Sequence, residues 1–178
     1  MNIDQKILER AKSGNIKAFE DILSVYEKPI FNYIRRWANR RQDAEDLTQD
    51  VFIRVYKSLK SIDLQKSFKA WLYKIATNVV YDWLRKKQGK IELFTIDDGI
   101  HDFETIESDS SYINIESAKD LEAALEKIKP VYKNVLLLFY HDDLSYQEIA
   151  DALNLPINTV KVCLYRAKKS LKAKLNYE

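Results

Sequence analysis

Lys74, Asn78, Tyr81 and Arg85 recur at helical spacing along one predicted helix. Two cations, an amide and a flat phenol ring in one stripe suit an unpaired nucleic-acid strand. Phosphates take Lys or Arg, and an unstacked base takes a ring and a hydrogen-bonding edge. Arg85-Lys86-Lys87 closes the helix with more positive charge, and Tyr73 offers another outward ring. The preceding loop, Ser61 to Ser67, is polar, contains Lys66, and can cradle a base drawn from the stack. On the other side of this helix Phe68, Trp71, Leu72, Ile75 and Val79 converge as core. Asp82 falls near that side and is expected to be a buried salt-bridge partner.

A second constellation runs from Leu144 to Leu171. Ser145 and Glu148 have the spacing of a capping box. Ile149, Ala150 and Leu153 repeat at helical spacing, and Asn154 to Asn158 interrupt the helix. In the helix that follows, Val160, Leu164, Ala167, Leu171 and Leu175 fall in one arc. Asn158, Val162, Tyr165 and Lys169 fall opposite, flanked by Lys161 and Arg166. Two short helices joined by a tight turn, the second one basic, describe a DNA-reading helix-turn-helix.

A third element, from Asp43 to about Lys60, has two sides. Ala44, Leu47, Val51 and Val55 form the buried stripe, and Phe52 stands at its boundary. Asp46, Gln49, Asp50, Ile53 and Lys57 point away. An acidic surface with one exposed isoleucine suits a protein partner. Physics alone serves a solvated face with an acidic first turn equally well.

These faces need a helical frame. The 178 residues include only three glycines and three prolines, and the apolar spacing is helical nearly throughout, which predicts an all-α chain. Ile3 to Lys12 and Ile16 to Ala38 precede the acidic-faced helix, with Pro29 expected to kink or break the second. Asp43 and Ser67 are the expected caps of the next two helices, the last running to about Lys87. Net charge is +2, but it is unevenly spread. Residues 1–87 carry 18 Lys/Arg against 11 Asp/Glu, residues 88–118 one against eight, and residues 119–178 ten against eight. Two small helical domains, 1–87 and 119–178, are therefore expected, joined by an acidic flexible linker at 88–118. Composition makes that linker a solvated tether.

Other chemistries find no support. One cysteine, Cys163, rules out a disulfide framework and reads as a small apolar filler. His101 and His141 are far apart and make no metal site. Neither a catalytic constellation nor a glycine-rich nucleotide loop is visible, so no enzyme activity and no cofactor are expected. The N-terminus lacks the apolar core of a signal peptide and no apolar run approaches a membrane span, so a cytoplasmic protein without direct membrane insertion is expected.

The order of these pieces resembles the extracytoplasmic-function (ECF) sigma factors, two-domain all-α initiation subunits of bacterial RNA polymerase. Asp43-Ala-Glu-Asp-Leu-Thr-Gln-Asp-Val-Phe52 is similar to the helix that binds core polymerase. Ser67-Phe-Lys-Ala-Trp-Leu-Tyr-Lys-Ile-Ala-Thr-Asn78, with Asp82 and Leu84-Arg-Lys-Lys87, resembles the segment that melts and reads the minus-10 element. Leu144 to Leu171 is similar to the domain that reads the minus-35 element.

The resemblance implies that Asp46, Gln49, Asp50, Phe52 and Ile53 grip the clamp of the polymerase's largest subunit, and that the second subunit's flap is a further partner. Lys66, Lys74, Asn78, Tyr81 and Arg85 would hold the non-template strand. Asn158, Thr159, Lys161, Val162, Tyr165, Arg166 and Lys169 would lie along the minus-35 groove. The acidic linker would thread the polymerase channel, and an anti-sigma factor is the family expectation. Lys161-Val162-Cys163 stands where the family commonly has Lys/Arg-Ser-Arg, and Asn158 where it has a turn glycine. Two rival readings are a conventional helix-turn-helix regulator that binds duplex DNA without polymerase, and a helical protein-interaction module.

Overall fold

A computed structural model describes residues 3–88 and 118–175, and every regular element in them is helical. The chain divides into two compact units. The first holds α1 (Gln5–Lys12), α2 (Ile16–Arg35), α3 (Arg41–Ser58) and α4 (Phe68–Gln88). The second is built from α5 (Ala118–Glu126), α6 (Pro130–Leu136), most of α7 (Tyr146–Leu153) and α8 (Ile157–Leu175). Of the expected acidic linker, Gln88 ends α4 and Ala118 begins α5, and residues 89–117 lie outside the described residues.

In the first unit α2 packs on α1, α3 and α4, and α3 also packs on α4. Asn15 caps α2 by accepting from the Ala18 amide at 2.9 Å. Pro29 sits inside α2 without ending it, so the expected break does not occur. A proline in a helix interior costs about 3 kcal/mol. Ile22, Tyr26, Ile30, Tyr33 and Ile34 are buried on both sides of it, and each such side chain returns roughly 1.5–3 kcal/mol. Packing therefore keeps the helix whole, through Arg35.

Helix α3 begins at Arg41, two residues ahead of the expected cap Asp43, which lies in the first turn instead. The Ala44 amide donates to the Arg40 carbonyl, and Arg41 Nε reaches Glu45 Oε1 at 2.7 Å, so the first turn closes one step earlier. Ser67 caps α4, its Oγ accepting from the Ala70 amide at 3.2 Å.

Aromatic rings fill the space between α2 and α4. Tyr33 meets Tyr73 edge to face at 5.5 Å and Trp37 at 6.4 Å, and Trp37 meets Tyr81 at 6.0 Å. The Tyr33 and Thr77 hydroxyls, both buried, share a 3.0 Å hydrogen bond across the two helices.

In the second unit α8 lies against both α5 and α6. A π-helical stretch, Leu137–His141, continues α6. Ser145 caps α7 in a complete capping box, with the Glu148 carboxylate accepting from the Ser145 amide at 2.9 Å. Asn154 ends α7 in the left-handed conformation at φ 55°, which Asn tolerates better than most residues.

Candidate nucleic-acid and partner interfaces

On α3, Asp46, Gln49 and Ile53 are exposed and Asp50 is half-buried. Phe52 is not at a boundary but inside. The buried face has a second row, Thr48, Phe52, Val55 and Leu59, beside Ala44 and Val51. A single-stripe reading misses it because α2 and α4 cover α3 from two sides. Asp50 is held by Arg54, Oδ2 to Nη2 at 3.0 Å, and Arg54 also donates to Asp82 of α4 at 3.2 Å. Desolvation lowers the Arg54 pKa, but hydrogen bonds and charge attraction from Asp50 and Asp82 outweigh it and raise the net value. Asp82 is thus a salt-bridge partner as expected, but its side chain is about 39% exposed rather than buried. It also holds Arg85 one turn on.

On α4, Lys74, Asn78 and Arg85 are exposed. Tyr81 does not join them. Its ring is buried edge-on to Trp37, and Tyr73, expected to point outward, is buried as well. Both tyrosines extend the aromatic filling between α2 and α4, a demand that the wheel of one helix does not contain. The ring beside Lys74 is instead Trp71, half-buried against Phe68 at 5.6 Å. It stands three residues before Lys74 and seven before Asn78, on the same side of the helix. Lys66 is exposed in a loop ordered by Asp63, whose carboxylate accepts from the Gln65 amide at 3.0 Å.

On α8, Asn158, Lys161, Tyr165 and Lys169 are exposed and Arg166 is half-buried. Thr159 and Val162 are buried, against the expectation of a groove-facing Val162. The helix is packed by α5 and α6 together, so its buried arc is wider than one stripe. Cys163 is buried; burial pushes its thiol pKa up, and the Arg166 charge opposes this only partly.

One aromatic cluster is not predicted by helical spacing. Phe139 stacks on Tyr146 at 5.1 Å, and the exposed Tyr140 lies under the Lys168 ammonium at 5.5 Å. The run Leu137-Leu-Phe-Tyr-His141 just ahead of the capping box was the available signal. Among the described residues no group of His, Cys, Asp and Glu could hold a metal ion, and no helix is long and apolar enough to cross a membrane.

Two helical units, one with separate acidic and cationic faces and one with a helix-turn-helix, have the domain plan expected of a transcription-initiation subunit. The sigma-70 region 2 model matches residues 22–90 and the sigma-70 region 4 model residues 118–171. The chain is 31% identical to the ECF RNA polymerase sigma factor SigW of Bacillus subtilis, covering 96% of each. It is 27% identical to the RNA polymerase sigma-H factor of Pseudomonas aeruginosa, covering 94% of this chain and 91% of that one. Among solved structures it is similar in fold to CnrH in complex with the cytosolic domain of CnrY, with TM-score 0.73, 23% identity and 98% of each chain covered. The chain belongs to the ECF sigma factors of RNA polymerase.

Proposed function

We propose that this sigma factor, without chemistry of its own, assigns its three tasks to three separate surfaces in domains spanning 1–87 and 119–178, with 88–118 as connector. Asp46, Gln49, Asp50 and Ile53 on α3 meet core polymerase at the clamp of its largest subunit. Lys74, Asn78, Arg85 and Lys66 hold the non-template strand of the minus-10 element, with Trp71 as the ring on that face in place of Tyr81. Asn158, Lys161, Tyr165, Arg166 and Lys169 lie along the minus-35 groove, and Thr159 and Val162 shape the helix from within. Cations supply salt-dependent affinity, and base contacts supply selectivity. The observation that carries this reading is the exposure, on one unit, of an acidic-apolar face on α3 and a cationic face on α4.

Such a protein acts in the cytoplasm with core polymerase and promoter DNA. Relatives in fold are seen bound to a CnrY cytosolic domain and to the anti-sigma factor NepR, which supports an anti-sigma factor as a further partner here. The test is capture of purified core polymerase by the full chain, followed by run-off transcription on genomic fragments. Stoichiometric capture with new, discrete transcripts is expected. Duplex-DNA binding by the chain alone, with no capture, would favour a conventional regulator.

A further inference from the structure

Lys12 ends α1 with a positive charge, which suits the negative end of a helix. Its ammonium nevertheless reaches beyond its own helix, and Nζ donates to the Ile62 carbonyl at 2.7 Å. The end of α1 from which it projects is well fixed. Leu8 and Ala11 are buried, and Gly14 turns the chain at φ 93°. The Gly14 and Asn15 amides donate to the Ala11 and Arg10 carbonyls. Ile62 follows the short 3-10 turn Leu59–Ser61, on which α1 packs, and is where the chain becomes extended. Its side chain is buried, so the core sets where Ile62 lies and Lys12 sets where its carbonyl points.

Beyond Ile62 the loop stands out from the core, with Asp63, Gln65 and Lys66 exposed. Short local bonds shape this arch. The Gln65 amide donates to the Asp63 carboxylate at 3.0 Å, and the Lys66 amide to the Asp63 carbonyl at 3.2 Å. Ser67, as the cap of α4, and buried Phe68 anchor its far end. Its near end is the Ile62–Asp63 peptide, whose carbonyl and amide share one plane. Holding that carbonyl sets the direction in which the arch leaves the core.

We propose that Lys12 is a positioning residue for minus-10 recognition: by holding the Ile62 carbonyl, it fixes the Ser61–Ser67 loop in the orientation that receives an unstacked base. The inference rests on the reading that this loop cradles such a base. It gives α1 a part in base selection, although α1 lies ahead of residue 22, where the region 2 match begins. Lys12 itself touches no DNA. An ammonium on a carbonyl is a charge-assisted bond, among the stronger kinds, and Lys12 is half-buried, which limits competition from water.

The test assembles holoenzyme from purified core polymerase with wild type, Lys12→Met, Lys12→Arg and a Gln65→Ala/Lys66→Ala loop variant. Each is assayed on a promoter library randomised across the minus-10 element, with thermal melts and core affinity recorded. Lys12→Met fills the same space without a donor, and is expected to flatten preference at one base position about fivefold. Core affinity should be unchanged. Lys12→Arg keeps a donor and should restore the profile, while the loop variant should flatten the same position. A wild-type profile for Lys12→Met beside an altered one for the loop variant would overturn the positioning role and leave the loop reading standing. Unchanged profiles in both would overturn the loop reading and the inference with it. A loss with Lys12→Met that is uniform across sequences and follows the melt or the core affinity would make Lys12 a structural contact alone and overturn the proposal.

Discussion

Arg54 of α3 and Asp82 of α4 pair at 3.2 Å, Nη1 to Oδ2, and this contact links the acidic face of α3 to the cationic face of α4. The same guanidinium holds Asp50 on the acidic face, and the same carboxylate holds Arg85 on the cationic face. Charges alternate from Asp50 through Arg54 and Asp82 to Arg85. All four side chains are about 39–50% exposed, so each pair contributes only about 0–1 kcal/mol to stability. Their consequence lies in what Arg85 is free to touch.

Asp82→Asn is therefore expected to leave the melting curve nearly unchanged while releasing Arg85 toward phosphate. In holoenzyme, affinity for a single-stranded minus-10 oligonucleotide should rise, and its logarithmic salt slope should steepen by about 0.7 per added phosphate contact. Arg85→Ala should move both quantities the opposite way. Anisotropy titrations across a salt series decide it; identical slopes for the two variants would detach Arg85 from the strand.

Tyr81 is buried and Trp71 only half-buried, the reverse of what spacing predicts, and the exchange of roles proposed for them is measurable. Tyr81 is a core ring, so Tyr81→Ala should cost about 3–5 kcal/mol, as aromatic truncation in a core does, and any loss of transcription should follow loss of fold. Trp71 is half-buried, so Trp71→Ala should cost less stability and more strand opening, a stacked base contributing roughly 1–3 kcal/mol. Urea unfolding, paired with a fluorescent-base assay of opening in holoenzyme, separates the two. Normal opening by a folded Trp71→Ala protein would remove this ring from the strand's path.

Why the sequence misplaced Tyr81 but located the helix-turn-helix has a physical answer. A capping box is local: Ser145 and Glu148 satisfy each other's backbone within one turn, and Asn154 takes the left-handed conformation with its amide donating to the Ala150 carbonyl. Spacing suffices there. The burial of Tyr81, Tyr73, Phe52 and Val162 is set by neighbouring helices, α2 for the tyrosines and α5 with α6 beside α8. A wheel drawn for one helix has no account of a second covering side. Pro29 makes the same point for chain path, since packing on both flanks outweighed a local helix breaker.

Cys163 should behave as a packed apolar group. Its thiol is held neutral, so the folded state binds the proton more tightly than the unfolded chain does. Its contribution to stability is then fully present below the unfolded pKa of about 8.5 and is lost as pH rises through the higher folded value. Wild type should lose more stability than Cys163→Ala between neutral and alkaline pH, and alkylation of the native protein should be slow until urea is added. Rapid alkylation at neutral pH without denaturant would make the cysteine a candidate redox sensor.

Lys161 and Val162 are adjacent in sequence and opposite in exposure, which gives the minus-35 surface its sharpest test. Lys161 is exposed between Asn158 and Tyr165, so Lys161→Ala should alter preference at one base pair, a good bidentate contact being worth about 1–3 kcal/mol of discrimination. If its ammonium meets a phosphate instead, binding should weaken for all sequences and the logarithmic salt slope should fall by about 0.9. Val162→Ser places a hydroxyl among buried groups, at roughly 1–3 kcal/mol of stability, and should lower activity on every promoter in proportion to the folded fraction. Transcription from a randomised minus-35 library, with urea unfolding of each variant, distinguishes these outcomes. A changed base profile for Val162→Ser in a fully folded protein would mean that α8 presents a different side to the groove.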